Sequence, residues 1–181
     1  YGGIQAIQTL WAGPWMLNIT GYTPLQSATG LFWINITMLI SFFIWGYILP
    51  KISEYGISSI KLIKLGLPIS YFSLFLIIYF GNNAGAFLFT LYIMTSIVIS
   101  LTQPAIALNF SKNLAGKSLT SYNVFLFSGT FFIQWGIGLV IDLCNNNGFD
   151  IVSSYRISFS VFLILCVLSY IFFIYLNKNE N

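Results

Sequence analysis

Eleven charged residues in a chain of 181, none in the interior of a long apolar run, constrain this sequence more than any other feature. Lys51, Glu54, Lys61, Lys64, Lys112, Lys117, Asp142, Asp150, Arg156, Lys178 and Glu180 all stand between apolar stretches or at their ends. The spans read 1–13, 25–49, 62–80, 84–108, 122–143 and 157–176. A helix of about 20 residues crosses about 30 Å of hydrocarbon. The first run is too short for that, so the expectation is five full transmembrane helices plus part of another. Soluble domains are about one quarter charged; this chain is 6% charged and 57% hydrophobic. The fold class is therefore an all-α polytopic membrane bundle, a single membrane-embedded domain whose first partner is the lipid bilayer.

The basic residues predict an orientation. Lys51, Lys61 and Lys64 follow the second span, Lys112 and Lys117 the fourth, and Lys178 the sixth. The gaps after the first and third spans carry no charge, and the gap after the fifth carries Asp142, Asp150 and Arg156. Six of the seven basic residues thus share one side, which the positive-inside rule makes cytoplasmic, carboxy terminus included. Trp11, Trp15 and Tyr22 suit an outer interfacial belt, Trp45 and Tyr175 an inner one. No initiator Met, charged leader or small-residue cleavage site marks Tyr1 to Gly13 as a signal peptide. The run reads as half of a helix ending outside at Ala12-Gly13-Pro14-Trp15, and a missing amino-terminal portion is the expectation.

Polar residues inside the spans are the functional signal. Asn and Gln occur in the first span (Gln5, Gln8), the second (Asn35), the fourth (Gln103) and the fifth (Asn123, Gln134), but not in the third or sixth. An amide left unpaired in lipid costs roughly 1–3 kcal/mol, so these four spans should face helices or water, and the third and sixth tolerate the periphery. At about 100° per residue, Asn123, Thr130 and Gln134 form one stripe, Tyr92, Ser96 and Gln103 a second, and Gln5 and Gln8 share a face. Interhelical hydrogen bonding and cavity lining stand at even odds for any one amide. Three stripes on separate helices favour a shared polar cavity. The cavity candidates are Gln8, Asn35, Gln103, Asn123 and Gln134. Pro104 should disturb the fourth span, Gly136 and Gly138 should permit close helix approach, and Pro50 and Pro68 should mark span boundaries.

Enzyme chemistry finds no footing. The four acidic residues lie at loops or span ends, His is absent, and Cys144 and Cys166 fit neither a metal-ligand spacing nor a disulfide framework. No catalytic residue, metal site or cofactor is expected. Ala115-Gly116-Lys117-Ser118 lacks the upstream glycine and strand of a phosphate-binding loop. The net charge of +3 is explained by topology and implies no nucleic-acid partner. Asn18-Ile19-Thr20 fits a glycosylation sequon on the outer side, a triplet that arises easily in an Asn-rich chain.

Two segments carry a family resemblance. Gln8 followed by Trp11-Ala12-Gly13-Pro14-Trp15, with Thr29-Gly30 opening the next helix, resembles the seventh and eighth helices of bacterial major facilitator superfamily transporters. Leu114-Ala115-Gly116-Lys117, Tyr122-Asn123 and Gln134-Trp135-Gly136-Ile137-Gly138-Leu139-Val140-Ile141-Asp142 resemble the region from the tenth to the eleventh helix. The resemblance spans nearly the whole chain. It implies the carboxy-terminal half of a twelve-helix carrier in the bacterial inner membrane, whose other six helices form the missing partner and whose cargo is a small-molecule solute. The family's loop between the eighth and ninth helices often carries Gly-x-Leu-x-Asp-Arg; here Gly46-Tyr47-Ile48-Leu49-Pro50-Lys51 departs from it, with Pro at the acid position. The alternative is a membrane-embedded structural or assembly subunit in which every amide joins helices.

Overall fold

The computed structural model describes residues 1–177; Lys178 and Glu180 lie outside the described residues. The chain is an integral membrane protein built as an all-α bundle. Its elements are α1 (Gly2–Ala6), a π-wound turn (Ile7–Trp11), α2 (Ala12–Asn18), α3 (Pro24–Glu54), α4 (Ser59–Phe80), α5 (Ala86–Ser96), a 3₁₀ stretch (Ile97–Leu101), α6 (Thr102–Asn109), α7 (Lys112–Asn146) and α8 (Ile151–Leu176). Five of the resulting rods are long and apolar enough to cross a membrane. A lipid core demands this architecture, because helices satisfy their backbone polar groups internally.

The helices overrun the apolar stretches that announce them. Polar caps set several starts. The Thr23 hydroxyl accepts from the Gln26 N–H while the Gln26 side chain accepts from the Thr23 N–H, with Pro24 at the first helical position. The Ser58 hydroxyl and the Asp150 carboxylate each accept from the N–H three residues on, capping α4 and α8 without the reciprocal bond. Pro50 and Pro68, expected at boundaries, lie inside α3 and α4. The first rod likewise runs on past Gly13 to Asn18. A proline within a helix lacks its N–H and crowds the carbonyl four residues back, which for Pro14 belongs to Leu10. The chain accommodates it by π winding: the Ala12 N–H reaches back five residues to the Ile7 carbonyl. Pro104 acts similarly, with the 3₁₀ stretch lying immediately ahead of it.

Continuation of the first rod corrects the expected outer belt. Trp15 is fully buried and forms the centre of the main core, with ring centroids 4.7 Å from Phe159, 6.0 Å from Phe89 and 6.1 Å from Tyr155. Its indole N–H has no acceptor among the described residues, a penalty of roughly 1–3 kcal/mol that the aromatic packing must offset. A second, smaller core joins Ile63 and Leu67 of α4 to Val98 and Leu101.

Alternating direction brings the loops together at two ends. At one end Thr20 donates to the Ala84 carbonyl at 2.9 Å, and Asn18 to the Tyr155 hydroxyl at 3.4 Å. At the other, Lys64 donates to the Asn177 carbonyl at 2.7 Å, and Tyr170 to the Lys64 carbonyl at 2.6 Å. Between the ends, the first rod lies between α3 and α7, while α4 lies between α5 and α8.

The third span does not stand at the periphery. Of its apolar window 39% is buried, against 11% for the second span and 17% for the fifth and for the sixth. Ser70 and Ser73 explain this: both are buried, and their hydroxyls donate to the carbonyls of Leu67 and Ile69 within α4 itself. Small side chains satisfied by their own helix allow close packing without any amide.

Close approach also falls elsewhere than expected. A Cβ on Gly136 would meet nothing within 4 Å, and one on Gly138 only the Trp11 ring at 3.5 Å. At Gly2 a Cβ would collide with the α7 backbone, including the Thr130 nitrogen at 2.6 Å. Gly2→Ala should therefore destabilise the protein by about 1–3 kcal/mol, because backbone cannot step aside as a side chain does. Gly136→Ala should be neutral or slightly stabilising. Thermal unfolding in detergent compares the two, and equal melting temperatures would contradict this packing.

Candidate functional site

The amides that matter sit where the first rod passes between α3 and α7. Above and below a π-wound turn the rod's faces are out of register with an uninterrupted α-helix. Here Gln8 turns to α3 and Thr9 to α7. The buried Gln8 side-chain amide donates to Asn35 Oδ1 at 3.1 Å and lies 2.9 Å from the Met38 sulfur. Asn35 in turn donates to the Leu31 carbonyl of its own helix at 2.7 Å. On the other flank Gln134 donates to the Thr9 hydroxyl at 3.1 Å, and its backbone carbonyl accepts from the Trp11 indole at 3.2 Å. One turn away Thr130 donates to Gln5 Oε1 at 3.4 Å. The result is a hydrogen-bonded ladder across three helices, Asn35–Gln8 on one side and Thr9–Gln134 on the other.

Three of the five cavity candidates, Gln8, Asn35 and Gln134, are thus brought together. Gln103 and Asn123 are not part of the ladder. Their chain neighbours Thr102 and Tyr122 share a 2.7 Å hydrogen bond that ties α6 to α7, but the two amides themselves make no hydrogen bond to a described residue. Asn123 is exposed and Gln103 half-buried. Gln103 leaves the face of Tyr92 and Ser96 for a mechanical reason. Five residues of 3₁₀ winding at about 120° each, rather than about 100°, rotate everything beyond them by roughly 100°.

Two internal spaces adjoin these elements. A cavity of about 140 Å³ lies between the first rod, α3 and α5, with Gln5, Gln8 and Ser96 among its walls. That is the liquid volume of about four or five waters. A larger cleft, about 290 Å³, lies between the first residues of the rod, α4 and α8, and Tyr1, Tyr71, Thr102, Cys166, Ser169 and Tyr170 bring polar groups to it. None of the five amide candidates lines it. Sequence reasoning missed this tyrosine-edged cleft because it followed amides, and Tyr71 and Tyr170, which meet edge to face at 5.8 Å, bring hydroxyls instead. The only usable signal was the recurrence of hydroxyl residues in otherwise aliphatic spans.

Neither space is lined by a charged side chain. Among the described residues no group of His, Cys, Asp and Glu is placed to hold a metal. What the arrangement offers chemically is neutral hydrogen bonding within an apolar wall. Compared with family models, curated proteins and solved structures, the chain matches none.

The ladder has a measurable structural role. Interhelical hydrogen bonds within membranes average about 0.6 kcal/mol. Gln8→Ala and Gln134→Ala should each lower stability by about that amount or somewhat more, since each strands a partner. Gln103→Ala and Asn123→Ala should leave the melting temperature unchanged. A clear loss of stability in Asn123→Ala would place that amide in a contact absent from this arrangement.

Proposed function

We propose that the chain is half of a secondary active transporter that moves a small, neutral, polar solute by alternating access. The observation that carries this reading is that three neighbouring rods each expose a polar side chain, Asn35 on α3, Thr9 on the first rod and Asn123 on α7, the last with no hydrogen bond to a described residue. In contact with hydrocarbon such groups would be costly; a second six-helix half and a water-filled path between the halves would satisfy them. The sparse burial of the second and fifth spans fits the same requirement, because helices that face a partner half look bare without it. The resemblance of residues 8–15 and 114–142 to the major facilitator superfamily points the same way. In this reading solute binds near the midplane, between the halves. Gln103 and Asn123, which have unspent donors and acceptors, line the solute path between that site and the lysine-bearing end. Gln8, Asn35 and Gln134 hold the helices that carry them. A proton-coupling acid or a charge-pairing base would come from the other half, since no charged residue lies mid-span in this chain.

A second reading has its own observation. Gln8–Asn35 and Thr9–Gln134 are bonds between helices, as expected of a structural or assembly subunit that transports nothing. Solute uptake by the complete carrier separates the two. Asn123→Ala should raise the half-saturation concentration roughly two- to twelvefold, the loss of one neutral hydrogen bond of about 0.5–1.5 kcal/mol, with expression unchanged. Uptake indistinguishable from wild type in both Asn123→Ala and Gln103→Ala would remove these amides from the solute path.

The location proposed is the bacterial inner membrane with the lysine-bearing end in the cytoplasm. In a Cys144→Ser, Cys166→Ser background, Asn83→Cys should react with an impermeant thiol reagent on intact cells. Ser59→Cys and Ser118→Cys should react only after the membrane is opened. Labelling of Ser59→Cys from outside would reverse the orientation.

A further inference from the structure

Among the described residues Arg156 is the one basic residue at its end of the bundle, and the amide ladder gives it no role. It lies in the second turn of α8, a place where a cation is expensive unless it reaches the interface or meets a counter-charge. Its side chain lies over the turn that ends α4: a Cβ on Gly81 would sit 3.6 Å from Arg156 Cδ and 3.8 Å from Nε. Gly81 has φ +52°, a backbone that favours glycine, although a Cβ there would meet Arg156 only at ordinary contact distance. No carboxylate among the described residues pairs with the guanidinium. The acidic neighbour at the start of α8, Asp150, is engaged instead with the Ser153 N–H at 3.0 Å and the Ser153 hydroxyl at 2.6 Å.

Arg156 also stands in a groove of about 430 Å³. From Arg156 the walls continue along one face of α8 through Ile157, Ser160, Val161 and Ile164, with Ile78 of α4 and Phe149 closing the sides. From Ser153 to Ile164 this face extends about 16 Å, half the thickness of the hydrocarbon core and so the depth of one leaflet. The groove belongs to α4 and α8, neither of which contributes to the amide ladder. A cation at the headgroup level above a one-leaflet apolar channel has the shape and charge of one ligand class. We propose that this groove holds an anionic glycerophospholipid, its phosphodiester on Arg156 and one acyl chain along Ile157, Val161 and Ile164. A monoanionic phosphodiester matches the single guanidinium, which offers planar paired donors to phosphate oxygens. The inference goes beyond the transport reading and does not depend on it.

Native mass spectrometry of the detergent-extracted protein tests this with added phosphatidylglycerol or phosphatidylcholine. The wild type should retain one phosphatidylglycerol under conditions that strip phosphatidylcholine. R156Q should lose that retention about tenfold or more, and R156K should keep part of it. V161W, which fills the apolar channel without touching the guanidinium, should lose it as well; this second variant covers the case in which R156Q fails to fold. Millimolar inorganic phosphate should not displace the lipid. Equal retention of the two lipids, full retention by V161W, or displacement by phosphate alone would overturn the proposal.

Discussion

The turn wound from Ile7 to Trp11 governs the arrangement of everything around the first rod. Without a π turn, Pro14 would collide with the Leu10 carbonyl and the rod would break near Gly13. With it, the chain runs on to Asn18, and Trp15 is carried inward to the centre of the core rather than outward to the interface. Gln8 and Thr9, adjacent within this turn, bond to opposite neighbours. The aromatic core at one end and the amide ladder in the middle thus meet in one short stretch of backbone.

The two halves of that ladder differ in burial, and the difference matters for how the bundle holds together. Gln8 is enclosed, so its bond to Asn35 is made in a low-dielectric setting where an orphaned amide is costly. Thr9 and Gln134 meet in a more open place, where water would compete if it were admitted. The rod is thus fastened tightly to α3 and more loosely to α7 by polar groups, while Gly2 draws it against the α7 backbone at its other end. Steric closeness at one point and hydrogen bonding at another make the α7 contact a hinge-like pair of attachments.

Much of the architecture was legible in the sequence for a simple reason: charge is so costly in hydrocarbon that its absence over 19 or more residues reads almost directly as a span. The helix ends were less legible, because Ser58, Asp150 and the Thr23–Gln26 pair cap turns that lie beyond the apolar stretch. That an amide should seek a partner was also readable, since the cost of an unpaired one does not depend on which partner it finds; Gln8, Asn35 and Gln134 find theirs, whereas Asn123 stays exposed and Gln103 half-buried. The partners were not readable. Gln8 finds Asn35 through the packing of the first rod against α3, which no pattern within either helix announces, and Gln103 leaves its stripe because of the 3₁₀ residues before it. A constant 100° per residue misplaces whatever lies beyond either irregularity. The third span was misjudged by the same census. Serines that bond within their own helix leave no amide signal, yet they allow close packing.

The length of α7 has a mechanical consequence. Its 35 residues make a rod of about 52 Å, some 20 Å longer than the hydrocarbon is thick. At the lysine-bearing end the turns from Lys112 to Ser121 project beyond the apolar stretch as a stiff arm. A tilt of about 10° near the bilayer centre would sweep the arm's tip sideways by roughly 4–5 Å, almost a full helical pitch. Through Thr102 and Tyr122 the arm is coupled to the fourth span at the point where the winding changes. A movement too small to disturb the packing of the core would, at that distance, become a displacement of several ångströms at the membrane surface.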